Sequence, residues 1–146
     1  MPTLHDPRAR AEIAERVRAL RPDSPRRWGK MTVDQMVWHV NQGLLQALGQ
    51  LQCAPKAMPL PAFLMKPLVF TLPWPRGAPT FPEFEAVSQH DFAQEKERCL
   101  KLVGDFGQRE LQGSWPTHMS FGPLRGDEWS RLMYKHMDHH LRQFSA

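Results

Sequence analysis

The sequence predicts an all-α fold, a four-helix bundle forming a single domain over residues 1–146, and three observations predict it. Four separate stretches carry apolar residues at helical spacing. No stretch alternates apolar and polar residues convincingly as a half-buried strand does, and no internal repeat is present. The third observation is size: 146 residues, 41% hydrophobic and 23% charged, suit one domain with a real core.

The first predicted helix runs from about Asp6 to Leu20, with Ala9, Ile13, Val17 and Leu20 on one face. It stops before Arg21-Pro22, because the residue preceding a proline is pushed out of the helical region. Asp23-Ser24-Pro25 makes a turn, and Trp28-Gly29 closes the link. The second predicted helix spans Thr32 to about Gly49, and Thr32 with Gln35 has the form of a capping box. Val33, Met36, Val37, Val40, Leu44, Ala47 and Leu48 form its broad apolar face. His39 lies at the edge of that face, with Gly43 one turn further on.

Residues 50–87 form a long proline-rich connection between the second and third helices. Eight of the fourteen prolines fall there, interleaved with Phe63, Phe70, Trp74, Phe81 and Phe84. At most a short helical turn is expected within it, over Ala62 to Lys66, because Pro67 follows. A connection this long is usually a lid, a binding loop or a dimer contact, although a loop that merely covers core reads the same way. The third helix begins near Ser88 or Asp91 and reaches about Phe106, with Gly107 as its cap. An aromatic link, residues 115–123, brings His118 close to the fourth helix, which Gly126-Asp127-Glu128 starts with acids in its first turn.

Composition narrows the function classes. The most apolar region, residues 57–75, is broken by Lys66 and by Pro59, Pro61, Pro67 and Pro73, so no uninterrupted run approaches the ~20 residues a membrane span needs. A charged N-terminal segment without an apolar run argues against a secretory signal, which places the protein in the cytoplasm. The net charge of +4 resides in residues 1–30, where seven Arg and one Lys stand against four acids. Those charges alternate with apolar positions as on an ordinary amphipathic helix, and no nucleic-acid motif accompanies them. Cys53 and Cys99 are the only cysteines, too few for a disulfide framework.

The chemistry concentrates in the last helix, Asp127 to Phe144. Wound at roughly 100° per residue, it puts Trp129, Leu132, Met133, Met137 and Phe144 on one stripe, with His136 and His140 in its middle. A buried neutral imidazole must satisfy both ring nitrogens, and two of them one turn apart can aim at one metal ion. Alone, His39 reads as a polar boundary residue; beside two imidazoles in need of a partner it becomes a third candidate ligand. Gln143 lies near the same face, either a surface glutamine or an amide that orients a ligand histidine from behind.

Met36-Val37-Trp38-His39 and His136-x-x-His139-His140-x-x-Gln143 together resemble the DinB-like metal-binding superfamily. Trp28-Gly29-Lys30-Met31-Thr32-Val33-Asp34-Gln35-Met36 and Phe121-Gly122-Pro123-Leu124 with Glu128-Trp129 resemble an uncharacterised bacterial branch of it. The resemblance covers nearly the whole chain. It implies a four-helix bundle, often a homodimer, that holds a divalent ion such as zinc or nickel through His39, His136 and His140. It also implies, for some relatives, transfer or isomerisation of a small-molecule substrate with a low-molecular-weight thiol. The proline-rich 50–87 segment departs from the simpler members, and no acid and base carry over, so the catalytic residues stay open.

Three imidazoles leave coordination positions free, whereas a structural zinc site is normally closed by four protein ligands. A metal-dependent enzyme, a thiol-dependent transferase or a hydrolase, is therefore the leading expectation. Its competitors are a noncatalytic metal or small-ligand binding bundle and a set of histidines that are only hydrogen-bonded in the core. A pocket beside the ion, lined by Trp38 or Trp129 and the 115–123 link, is expected for an enzyme.

Overall fold

Asp6 starts the first helix by accepting a hydrogen bond from the Arg8 amide at 2.9 Å, and Pro7 occupies the first helical position, where its missing N–H is no loss. Helix α1 is Pro7–Ala19 and buries Ala9, Ile13 and Val17. The computed structural model describes residues 1–78 and 80–146, with Pro79 outside them. Helix α2, Val33–Ala47, follows Thr32, whose amide donates to Gln35 Oε1 at 3.0 Å in the predicted capping box.

The connection after α2 holds more helix than expected. Helix α3, Ala62–Thr71, is ten residues long and passes straight through Pro67. A proline there removes one backbone hydrogen bond, and the expectation of a turn ending at Lys66 rested on that loss. Tertiary packing outweighs it: Phe70 is buried, and Met65, Val69 and the following Trp74 pack on the core. A 3-10 turn, Pro82–Phe84, then buries Phe84.

Helix α4, Phe92–Gln108, is capped by Asp91, which accepts from the Gln94 amide at 3.1 Å. It runs through Gly107, expected as its cap, to a cap at Arg109, and Gly107 gives the Arg10 side chain room to lie against the helix. Its Cys99 is buried, and burial pushes the thiol up to about 12, the state of a small core hydrophobe. The 115–123 link contains a two-residue pairing that the alternation pattern is too short to signal. Strand β1, Thr117–His118, pairs antiparallel with β2, Gly122–Pro123. Helix α5, Gly126–Gln143, begins with the Arg125 amide donating to Glu128 Oε1 at 3.0 Å.

The fold is thus mostly helical, with five α-helices and a two-stranded sheet among the described residues, where four helices were expected. Helix α2 packs against α4 and α5, and α1 packs against the same two. The core between them holds Ile13, Val17, Met36, Leu44, Val103, Phe106, Trp129, Met137 and Leu141. No helix among the described residues is long and apolar enough to cross a membrane.

Candidate metal centre

Because α2 packs on α5, His39 meets His136 and His140 across that seam. The three ring centroids lie 4.7–4.9 Å apart, and one nitrogen from each lies within 4.8 Å of the other two. Among the described residues these three form the group that could hold a metal ion. His39, expected at the edge of the apolar face, is buried.

Hydrogen bonds fix two of the rings. His39 Nδ1 lies 2.8 Å from the Phe84 carbonyl oxygen, which can only accept, so the proton sits on Nδ1 and Nε2 keeps its lone pair. Gln143 does the same for His140 by a two-step argument. Its Nε2 donates to the Trp28 carbonyl at 3.0 Å, which turns Oε1 toward His140 Nδ1 at 2.9 Å. His140 therefore also carries its proton on Nδ1 and aims a bare Nε2 away from Gln143. Gln143 is itself buried, wedged under a backbone that needs glycine: Gly29 has φ +83°, and a Cβ there would stand 2.5 Å from Gln143 Nε2. That contact gives Trp28-Gly29 its place in the site.

His136 is held differently. Its Nε2 lies 3.0 Å from His39 Nε2, and its buried Nδ1 has no hydrogen-bond partner among the described residues. Packing positions the ring instead. Gly43 lies under it, where a Cβ would come within 3.2 Å of Nδ1 and Cε1, and Trp74 covers it with centroids 5.9 Å apart. The free Nε2 of His39 leaves His136 either to donate to it, stranding Nδ1 as a buried acceptor, or to face it with a second lone pair. Both are unfavourable without a cation. Two nitrogens on one zinc ion stand roughly 2.9–3.4 Å apart for bonds of 2.0–2.1 Å, so the His39–His136 spacing fits a shared ion.

Burial holds all three below the ordinary histidine range, His140 at about 3 and His136 well below 6.5, with repulsion from neighbouring imidazoles adding to it. At neutral pH the site therefore offers three uncharged imidazoles, the donor form that metals require.

The remaining histidines lie outside the set. His139 is half-buried, with its ring centroid 5.1 Å from His140, 5.6 Å from Trp28 and 5.8 Å from Trp74. His118 accepts on Nδ1 from the Ser120 and Phe121 amides and packs on Trp129. The walls also differ from expectation. Trp38 stacks on His90, and Trp129 is fully buried with its indole N–H on the Pro116 carbonyl. The pocket next to the histidines is instead lined by Trp28, Pro73, Trp74, Arg76, Lys135, Asp138, His139 and Arg142, so the 50–87 connection supplies a wall.

No curated protein and no solved structure matches the chain. Residues 8–146 match the model of a family described as a protein of unknown function, DUF1569, and the chain belongs to that family.

Proposed function

We propose that the protein is a divalent-metal protein of the DinB-like type and a metal-dependent enzyme of the thiol-dependent transferase class. In this reading His39, His136 and His140 are the ligands, Gln143 and the Phe84 carbonyl orient two of them, and the ion is zinc or nickel. The observation that carries the reading is the pair of imidazoles whose protons are tied back on Nδ1, so that their Nε2 lone pairs meet the His136 ring, which can donate to that of His39 only by stranding its own buried Nδ1. A histidine cluster that served only to fill a core would leave no buried ring nitrogen without a partner, as His136 Nδ1 is left here. The packing of α2 and α1 on α4 and α5 supports reading the architecture as a four-helix bundle to which α3 is added.

An ion held by three neutral imidazoles keeps its full 2+ charge and an exchangeable position, so it supplies acidification of a bound thiol or water near neutral pH. Cys53 and Cys99 are both absent from the cluster, so the thiol is a small cosubstrate such as glutathione, bacillithiol or mycothiol. Trp74 and Trp28, next to His136 and His139, are walls for an apolar electrophile. The cytoplasm, where such thiols are kept reduced, is the compartment that goes with this chemistry. The alternative, a noncatalytic metal or small-ligand binding bundle, uses the same ligands without turnover.

The test is elemental analysis of untagged protein purified without added metal, followed by a screen of the three thiols against model electrophiles. One equivalent of zinc or nickel, and turnover lost in His136→Ala, are the expected results. Absent metal sinks the whole reading, and metal without turnover moves it to the binding bundle. A homodimer is the assembly we propose, because α3 and its flanks leave Leu60, Phe63, Leu64, Leu68 and Leu72 exposed, Phe63 by 72%. Sedimentation velocity should find a dimer for the wild type and a monomer for Phe63→Glu.

A further inference from the structure

The pocket beside His139 carries a charge pattern that metal binding does not need. It has a volume of about 220 Å³, and three of its lining residues, Arg76, Lys135 and Arg142, are cations against one acid, Asp138. Asp138 is shared between two guanidinium groups, Arg16 at 2.8 Å and Arg142 at 3.1 Å, so it cannot neutralise the pocket. Lys135 is held in place by the Val69 and Leu72 carbonyls, which satisfy hydrogen bonds and leave its charge uncancelled. A neighbouring depression shares Pro73, Lys135, Asp138 and Arg142 and adds Arg131, which extends the basic surface along α5.

Arg76 is the most telling member. Its guanidinium lies over the Trp28 ring, with Cζ 4.5 Å from the centroid, and it makes no ion pair among the described residues. Contact with the ring holds the group in place without using its N–H donors, which can receive a carboxylate through two parallel hydrogen bonds. Trp28 is itself pinned through its carbonyl to Gln143, the residue that orients His140. The basic pocket and the histidine cluster therefore share a support, and His139 and Trp74 touch both.

We propose that this pocket binds the carboxylate end of an anionic small molecule, with Arg76 as the principal contact and Trp28 and Trp74 as walls. Its other end reaches past His139 to the three histidines, a step that rests on the metal-centre reading; the pocket does not. The size of the pocket suits one end of such a molecule.

The probe is S-methylglutathione, which keeps two carboxylates and has no free thiol, compared by calorimetry with its form esterified at both carboxylates. Full-length zinc-loaded protein is used, with Arg76→Gln, and Arg21→Gln as a cation removed from an exposed site elsewhere. Binding of the acid form should weaken roughly tenfold or more in Arg76→Gln and stay unchanged in Arg21→Gln. The diester should bind wild type no better than it binds Arg76→Gln, and zinc content should be equal in all three proteins. Absent binding by wild type, equal affinities for acid and diester, or equal losses in both variants would overturn the proposal. Selective binding by a wild type that fails to take up zinc would uphold the pocket and overturn the metal reading.

Discussion

Helix α5 touches histidines along its length, and the two groups differ in what becomes of their nitrogens. Near its start, His5 is satisfied on both sides: Nδ1 lies 3.0 Å from Ser130 Oγ and Nε2 lies 2.8 Å from the Arg109 carbonyl. His118, beside Trp129, uses Nδ1 to accept two backbone amides and so organises the β1–β2 turn. Two turns further along, His39 and His140 tie Nδ1 to acceptors and leave Nε2 bare, while His136 leaves Nδ1 orphaned. Burial is common to both groups and so identifies nothing. The lone pair left over after the hydrogen bonds are counted separates a structural histidine from a candidate ligand.

Removing a ligand should give the largest separation between the groups. His140→Ala or His136→Ala is expected to lower bound zinc from one equivalent to near zero at neutral pH, whereas His139→Ala, His118→Gln and His5→Gln should keep it. Elemental analysis after gel filtration checks this, and equal metal content in wild type and His140→Ala would remove the distinction. Where metal is bound at a free concentration about 100 times its dissociation constant, it adds ~2.7 kcal/mol to stability. A chelator should accordingly lower the melting temperature of wild type and leave that of His140→Ala where it is.

The second expectation concerns pH at the structural end. Burial lowers His118 to about 4, against an ordinary value of 6.5. Folding therefore favours its neutral form, and the stability this represents is full above pH 6.5 and disappears as pH falls through about 4. Between pH 7 and pH 5 the change amounts to about 2 kcal/mol. His118→Gln should lose that part of the slope in urea unfolding, so wild type and variant should converge as the pH is lowered. Parallel curves would mean that His118 is not buried as the turn requires.

How much of this was legible in the sequence follows the same division between local and assembled features. The boundaries of α1, α2 and α5 came within two residues, because caps and apolar periodicity are local properties of the chain. Helix α3 was underestimated because what holds it, burial of Phe70 against distant helices, leaves no local mark beside Pro67. Residues at i and i+4 mark out His136 and His140 in sequence, and family resemblance adds His39. The Phe84 carbonyl that orients His39 is backbone, and backbone acceptors have no letter. Trp74 was legible only as an aromatic in a segment suited to form a wall, whereas Trp38 and Trp129, the expected lining, have partners elsewhere.

A smaller effect is expected from Gln143→Ala, which removes the acceptor on His140 Nδ1 without removing a ligand. Zinc affinity should fall about tenfold, the usual loss for such partners. Gln143→Glu should restore only part of it, since one carboxylate oxygen accepts from the same Nδ1–H while the other cannot donate to the Trp28 carbonyl. Competition against a calibrated chelator measures both. An unchanged affinity in Gln143→Ala would make the amide a prop for Trp28 alone.

Gly43→Ala should give the smallest and most discriminating change, because it acts on the one ring that packing holds. A methyl group at this position would meet His136 Cε1 and Nδ1 at 3.2 Å, so the ring must give way by a few tenths of an ångström. His136 has His39 on one side and Trp74 on another, so the displacement carries its nitrogen off the common point. Sites of this kind tolerate errors of only about 0.5 Å, so zinc affinity should drop a few-fold. Replacing a glycine inside α2 by alanine stabilises the helix itself by roughly 0.5–1 kcal/mol. The metal-free variant should consequently melt at or slightly above the wild-type temperature while binding zinc more weakly. If Gly43→Ala instead melts lower without zinc and binds it as well as wild type, His136 is a packed core residue and belongs with His5 and His118.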